Sequence, residues 1–370
     1  MLVQLDLRTA ATARGASAAA SASLSAASGA LSTRVAARVA VHSVQAGASC
    51  AREAVLAAGG LGALSTVLAA LPGDVQVVRD VTRAMMALAS SEHTGRVLHG
   101  GGIGTCLNAL EAQPDDVEVH SAVLTTLREV AIDHPNPLRT ERVVRVALHA
   151  LRHFDDDDII ASRACGLITN LTNDADRPSF PGLLAHDAHL ATLCRSGVAA
   201  AVVQAVRSFD ALSEARTPAL MALSHIVTGD ERVVRPLRAA GAMRAVRRAI
   251  GEAIEHPSDE QCACALSFFV ALAEGTADRP DLCWSACAQL GALDVLEAVP
   301  ATFAVAHDAC ASALRLLSTM IYALHLGAED EQAKARAATA SEANGGGDGG
   351  GDGGGDGGGG DGGLGAHTRF

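Results

Sequence analysis

The stretch "HFDDDDIIASRACGLITNLTND", residues 153–174, sets four consecutive aspartates, Asp155–Asp158, directly before an apolar segment. Such a run is either a cation-binding acid cluster or the solvated entrance to a helix. The residues that follow decide between them. Ile160, Ala164, Leu167 and Leu171 fall at i, i+4, i+7 and i+11, which is one face of an α-helix. Aspartate is a good N-cap, and carboxylates at a helix N-terminus complement its dipole. Carboxylates on adjacent residues, by contrast, do not all converge on one ion. The aspartates read as a helix entrance.

The same corner recurs. "LPGDVQVVRD" (71–80) and "QPDDVEVHSA" (113–122) also pass from an acidic turn into a periodic apolar segment. Val77, Val81, Ala84 and Leu88 keep the spacing, and Val119, Val123, Thr126 and Val130 keep it with one polar lapse. A second marker accompanies this one, a glycine with apolar residues two and five positions later. It occurs as Gly59-Leu61-Leu64, Gly101-Ile103-Cys106, Gly241-Met243-Val246 and Gly291-Leu293-Leu296, with Gly197-Ala199-Val202 a softer copy. Each glycine is expected to close a short helix and open a longer one through a left-handed turn, where a Cβ is costly.

The intervals give a period. Gly59 to Gly101 is 42 residues, Gly197 to Gly241 is 44, and Gly241 to Gly291 is 50. Gly101 to Gly197 is 96, two units plus a surplus. The missing glycine falls near Glu141, where Val143 and Val146 supply the apolar positions. The surplus is the proline-bearing "NDADRPSFPGLLAHDAH" (173–189), a loop inserted over about 175–189. Counting back from Gly59 reaches Gly15, so a degenerate first unit is expected over 15–49. Repetition at this period marks an array of supersecondary units.

Composition agrees with stacked helices. Hydrophobic residues make up 49% of the chain but aromatics only 2%, so the core is built from Ala, Val and Leu rather than bulky cross-strand pairs. No charge-free window approaches 18 apolar residues, which argues against a membrane span. The net charge of −12 and the lack of a basic patch argue against nucleic acid. Nine scattered cysteines, an odd number, suit reduced, buried thiols.

A unit of short helix, glycine, helix, acidic turn and helix resembles the armadillo repeat. "ACGLITNLTND" is similar to the end of an armadillo third helix, and "AGAMRAVRRAI" and "LGALDVLEAV" to its second. The resemblance covers residues 50–323 well and 15–49 weakly. It implies an all-α fold, a right-handed α-solenoid of about six to seven units over residues 15–323. It also implies a concave face lined by third helices.

The family's peptide binders carry an asparagine near the end of the third helix, often with a tryptophan one turn earlier. By register, the asparagine column reads Ser43, Ala87, Glu129, Asn170, His225, Ala271 and Thr319, with only Asn170 matching. The tryptophan column reads Val39, Arg83, Thr125, Gly166, Met221, Ser267 and Arg315, with no match; Trp284 lies elsewhere. An importin-like clamp on basic peptides is therefore not expected. A turn further back the column holds Arg79, Ser121, Ser162 and Thr217. Arg79, Arg83, Glu129, Asn170 and His225 become the candidate groove residues, each weighed against the plainer reading of a solvated polar side chain.

Three weaker constellations remain. "HGGGIGT" (99–105) superficially resembles a phosphate loop, but no strand precedes it and the repeat already explains Gly101. His186, His189 and Cys194, with Asp187 nearby, offer metal-ligand types, so a metal-dependent enzyme is the chemical alternative. No nucleophile elbow or Ser/His/acid arrangement is found. The first 40 residues, with Asp6 their only acid, suit a transit peptide as well as a degenerate unit, so residues 1–14 stay a separate segment. The Gly/Asp-rich tail, 324–370, is expected to be disordered.

The expectation is thus a non-enzymatic, monomeric, cytoplasmic scaffold that binds a protein or peptide along its groove. It needs no cofactor, metal, nucleic acid or membrane. Organelle import, or service as the armadillo segment of a larger signalling protein, are the alternatives.

Overall fold

The structure is a computed structural model and describes residues 49–89, 92–173, 189–227, 231–276, 292–303 and 307–345. The expected first unit up to residue 48, the segment 1–14, the inserted loop up to residue 188 and the glycine tail beyond 345 lie outside the described residues. The chain divides into two compact units, Met1–Ala323 and Leu324–Phe370.

Among the described residues of the first unit every element is a helix, and the helices come in triplets. The first triplet is α1 (Ser49–Ala57), α2 (Gly60–Ala70) and α3 (Val75–Leu88). The second is α4 (Thr94–His99), α5 (Gly102–Ala112) and α6 (Val117–Asp133), and the third is α7 (Pro135–Leu138), α8 (Glu141–His153) and α9 (Asp158–Thr172). The fourth comprises α10 (His189–Ser196), α11 (Val198–Ser208) and α12 (Arg216–Ile226). The fifth comprises α13 (Glu231–Ala240), α14 (Ala242–Glu255) and α15 (Asp259–Gly275). A sixth contributes α16 (Ala292–Thr302) and the start of α17 (Asp308–Gly345).

Two local devices recur among the triplets. Gly59, Gly101, Gly197 and Gly241 have φ of 77°, 81°, 93° and 77°, so four of the expected corners are left-handed turns between first and second helices. The corner without a glycine works differently. There the first helix shrinks to Pro135–Leu138, and Thr140, at φ −104°, caps α8 by accepting from Val143 N at 3.4 Å. Arg139 braces that corner, donating to the carbonyls of Leu171 (2.9 Å) and Asn173 (3.2 Å) at the end of α9.

The acidic turns are the second device. Asp74 accepts from the amides of Gln76 and Val77, Asp116 from Val119 and Asp157 from Ile160, at 2.9–3.3 Å. The aspartates quoted first thus contribute one cap, Asp157, one first-turn residue, Asp158, and two exposed neighbours. In the fifth triplet Ser258 makes no side-chain cap; instead the Asp259 carboxylate accepts from the amides of Asp308 (3.2 Å) and Ala309 (3.0 Å), opening the next third helix.

The triplets stack in register. The third helices α3, α6, α9, α12 and α15 pack each on the next, and second helices stack likewise, α2 on α5 and α8 on α11. One buried core runs from Val55 to Ala323, mostly Val, Leu and Ala. Burying each Val or Leu contributes about 1.5–3 kcal/mol. A lone triplet exposes the faces it offers to its neighbours, so stability comes from stacking.

One boundary needs correction. Residues 324–345, expected to be disordered, continue α17 as helix to Gly345. The stretch is rich in Ala, the strongest helix former, with side-chain pairs His325–Glu329 (3.4 Å) and Glu331–Lys334 (3.4 Å). Within the first unit α17 buries Ala309, Cys310, Ala313, Leu316, Met320 and Ala323 and exposes Leu314, Ile321 and Tyr322. Asp308–Arg336 is long and apolar enough to cross a membrane, with a mean hydropathy of 1.3 and a third of its most apolar window buried. A core helix of a soluble protein has the same composition.

Candidate partner-binding groove

The structure carries all five candidate residues on third helices: Arg79 and Arg83 on α3, Glu129 on α6, Asn170 on α9 and His225 on α12. The three columns share one face. Arg79, Ser121, Ser162 and Thr217 are half-buried, as are Arg83, Thr125, Gly166 and Ser267, and Ala87, Glu129, Asn170, His225, Ala271 and Thr319; Met221 is just exposed. The alternate positions, Val77, Val81, Ala84 and Leu88 in α3 and their counterparts, are fully buried. A continuous, partly accessible surface therefore runs along the stacked third helices.

The side chains themselves are mostly engaged between units. Arg79 binds Asp116 (2.8 Å) and Glu118 (3.0 Å) of the next third helix, and Arg83 binds Glu118 as well as Asp80 (3.6 Å) in its own. These contacts, with the Asp116 hydrogen bond foremost, raise the Arg79 pKa further. The two arginines of α3 are thus neutralised by the seam they fasten. Asn170 donates its amide to the backbone carbonyl of Arg128 at 3.0 Å, and Glu129 pairs with Arg128 at 2.9 Å. Arg315 and Glu274 form a two-pronged pair at 2.7 and 3.0 Å between the fifth and sixth units.

Two arginines outside the columns matter more. The Arg128 stem lies over Gly166, where a Cβ would come within 3.0 Å of Arg128 Cδ. The glycine in place of a bulky column residue therefore makes room for an arginine from the neighbouring unit. Arg163, one turn before Gly166, is half-buried and makes no ion pair among the described residues. Burial first, then the Arg128 charge, lowers its pKa, while Asp157 and Glu214 pull the other way. Two guanidiniums thus lie close together midway along this face, Arg128 paired with Glu129 and Arg163 within the influence of Asp157 and Glu214. Reading columns at four-residue spacing misses both, because long side chains reach in from the flanking position.

The other constellations separate. Gly101 and Gly102 form an inter-helix corner: a Cβ at Gly102 would meet Val97 Cγ1 at 2.7 Å, so "HGGGIGT" serves packing. His189 and Cys194 lie on α10 with Cys194 buried, and His186 is outside the described residues. Of the scattered cysteines, Cys262 is buried and Cys264, two positions on along α15, is half-buried.

No protein-family model matches the chain, and no curated protein matches it. Solved structures do. An engineered protein superposes with a TM-score of 0.59 at 19% identity, over 77% of this chain and 63% of that one. A designed armadillo repeat protein in complex with the peptide (KR)4 gives 0.52 at 17% identity, over 67% of this chain and 94% of that one. A structure from work on a phosphorylation switch in the interaction between cadherin and beta-catenin gives 0.61 at 18% identity, over 85% of this chain and 59% of that one. The fold is the armadillo-repeat solenoid. The chain spans under two thirds of the engineered and beta-catenin-related structures. The armadillo triplets align the third helices, but the asparagine column keeps only Asn170, and that amide is turned towards a neighbouring armadillo unit.

Proposed function

We infer that the chain is a non-enzymatic interaction scaffold that takes a protein or peptide segment along its third-helix face. The observation that carries this is the alignment of half-buried columns on α3, α6, α9, α12 and α15 beside a mid-groove arginine pair. A surface of this kind offers many modest contacts, with Arg128 and Arg163 selecting an acidic side chain of the occupant. The armadillo neighbour that holds (KR)4 supports an extended occupant, while the chemistry here favours the opposite charge.

Panning a displayed random-peptide library on the full chain tests this reading. Recovered peptides should be enriched in Asp or Glu and lose affinity about tenfold or more on Arg128→Ala/Arg163→Ala. Binders indifferent to that change, with helicity preserved, would remove the groove assignment.

A further inference from the structure

A second cluster lies away from the groove columns, where the acidic turn of the second armadillo unit meets the second helix of the third. His149 and His153 are one turn apart on α8, their rings stacked with centroids 5.0 Å apart. Asp115, in the turn before α6, reaches His153, with Oδ1 3.2 Å from Nε2. One nitrogen from each imidazole and one carboxylate oxygen lie within 4.8 Å of one another, the one such trio among the described residues. All three side chains are exposed.

The surroundings hold the cluster in place. Phe154 packs edge-on against His153, with centroids 4.8 Å apart. The Pro114 carbonyl accepts from His120 Nε2 at 2.7 Å and from His149 Nε2 at 3.4 Å. His120 is buried behind them, and its Nδ1 has no hydrogen-bond partner.

We propose that Asp115, His149 and His153 bind a divalent transition-metal ion of the zinc type, clamping the second and third units together. Histidines at i and i+4 present two imidazoles on one helix face, and a carboxylate from another element completes three protein ligands. Zinc takes nitrogen and carboxylate oxygen at about 2.0–2.2 Å, so neighbouring tetrahedral ligand atoms lie about 3.3 Å apart. The Asp115–His153 pair already has that separation, and rotation of exposed side chains closes the rest. Two imidazoles and one carboxylate, with no thiolate, suit zinc, cobalt, nickel or copper rather than calcium or magnesium. Water completes the coordination, and nothing there supplies a reaction.

Calorimetric titration of the full chain with zinc chloride is the test, repeated on His149→Ala, His153→Ala and Asp115→Asn. The native chain should take up one equivalent that both histidine variants lose and the aspartate variant binds at least tenfold more weakly. Zinc should also raise the melting temperature of the native chain and not of His149→Ala/His153→Ala. His189→Ala should leave the equivalent intact. Cobalt in place of zinc should give visible d–d bands without sulfur-to-cobalt charge transfer. Equal uptake by the native chain and the double histidine variant, no uptake by the native chain, or a thiolate charge-transfer signal alone would overturn the assignment.

Discussion

Asn170 on α9 donates its side-chain amide to the backbone carbonyl of Arg128 on α6, 3.0 Å away, across the seam between the second and third units. A side chain of the asparagine column thus serves as a tie between neighbours. Asn170→Ala should lower stability by about 1 kcal/mol in urea unfolding. Its effect on peptide affinity should be smaller than that of Arg128→Ala/Arg163→Ala. A large loss of affinity at unchanged stability would mean the amide faces the ligand.

The acidic corners differ in what they hold. Asp157 caps α9 through one amide, so Asp157→Ala should cost about 1 kcal/mol. Asp116 caps α6 and also binds Arg79, so Asp116→Ala should cost more. Asp155 and Asp156 are exposed, and their alanine variants should stay within about 0.5 kcal/mol of the native chain. Chemical denaturation of the four variants gives the ranking. A uniform cost would contradict the assignment of Asp157 as the cap.

Arg216 at the start of α12 is the largest fully buried side chain among the described residues. It donates to the carbonyls of Val206 and Phe209 and pairs with Glu252 of α14 in the next unit. Arg216→Ala leaves the buried Val206 and Phe209 carbonyls without their donor, while half-buried Glu252 keeps Arg248, and should cost about 1–3 kcal/mol. Arg216→Lys keeps the charge but not the fork of donors, and should recover only part. Thermal unfolding of both variants checks this; full recovery by lysine would show that charge alone matters.

Burial pushes the Cys106 and Cys165 thiols up to about 12 from an ordinary 9.0. Their folded pKa is raised, so the folded chain keeps protons that the unfolded chain releases. Their stability contribution is complete below pH 9 and is lost as pH rises through the window from about 9 to about 12. Both thiols should therefore resist a disulfide reagent at pH 8 until denaturant is added. Rapid labelling of either in the native chain would show that its helix seam opens freely.

The repeat was legible because its markers act locally. A left-handed corner favours glycine at Gly59, Gly101, Gly197 and Gly241, and an N-cap favours a short side-chain acceptor such as Asp74, Asp116 and Asp157, whatever the rest of the chain does. The columns on the third helices followed from that register. What their side chains bind did not, since the Arg79–Asp116 and Asn170–Arg128 contacts depend on the offset between stacked units. Arg128 and Arg163 escaped because they flank the columns, and Asp115 because it sits 34 positions before His149, in another unit. The helix from 324 to 345 escaped because the glycines beyond it dominated the reading of the tail.

The seams are not fastened alike. Between the first two units the ties are partly solvent-lapped charges, Arg79 and Arg83 against Glu118 and the more buried Asp116, whereas between the fourth and fifth Arg216 is sealed from water. Molar salt, with a screening length of about 3 Å, weakens the former and hardly reaches the latter. Rising ionic strength therefore loosens the row from one end, and amide deuterium uptake along α3 climbs while α12 holds its protons.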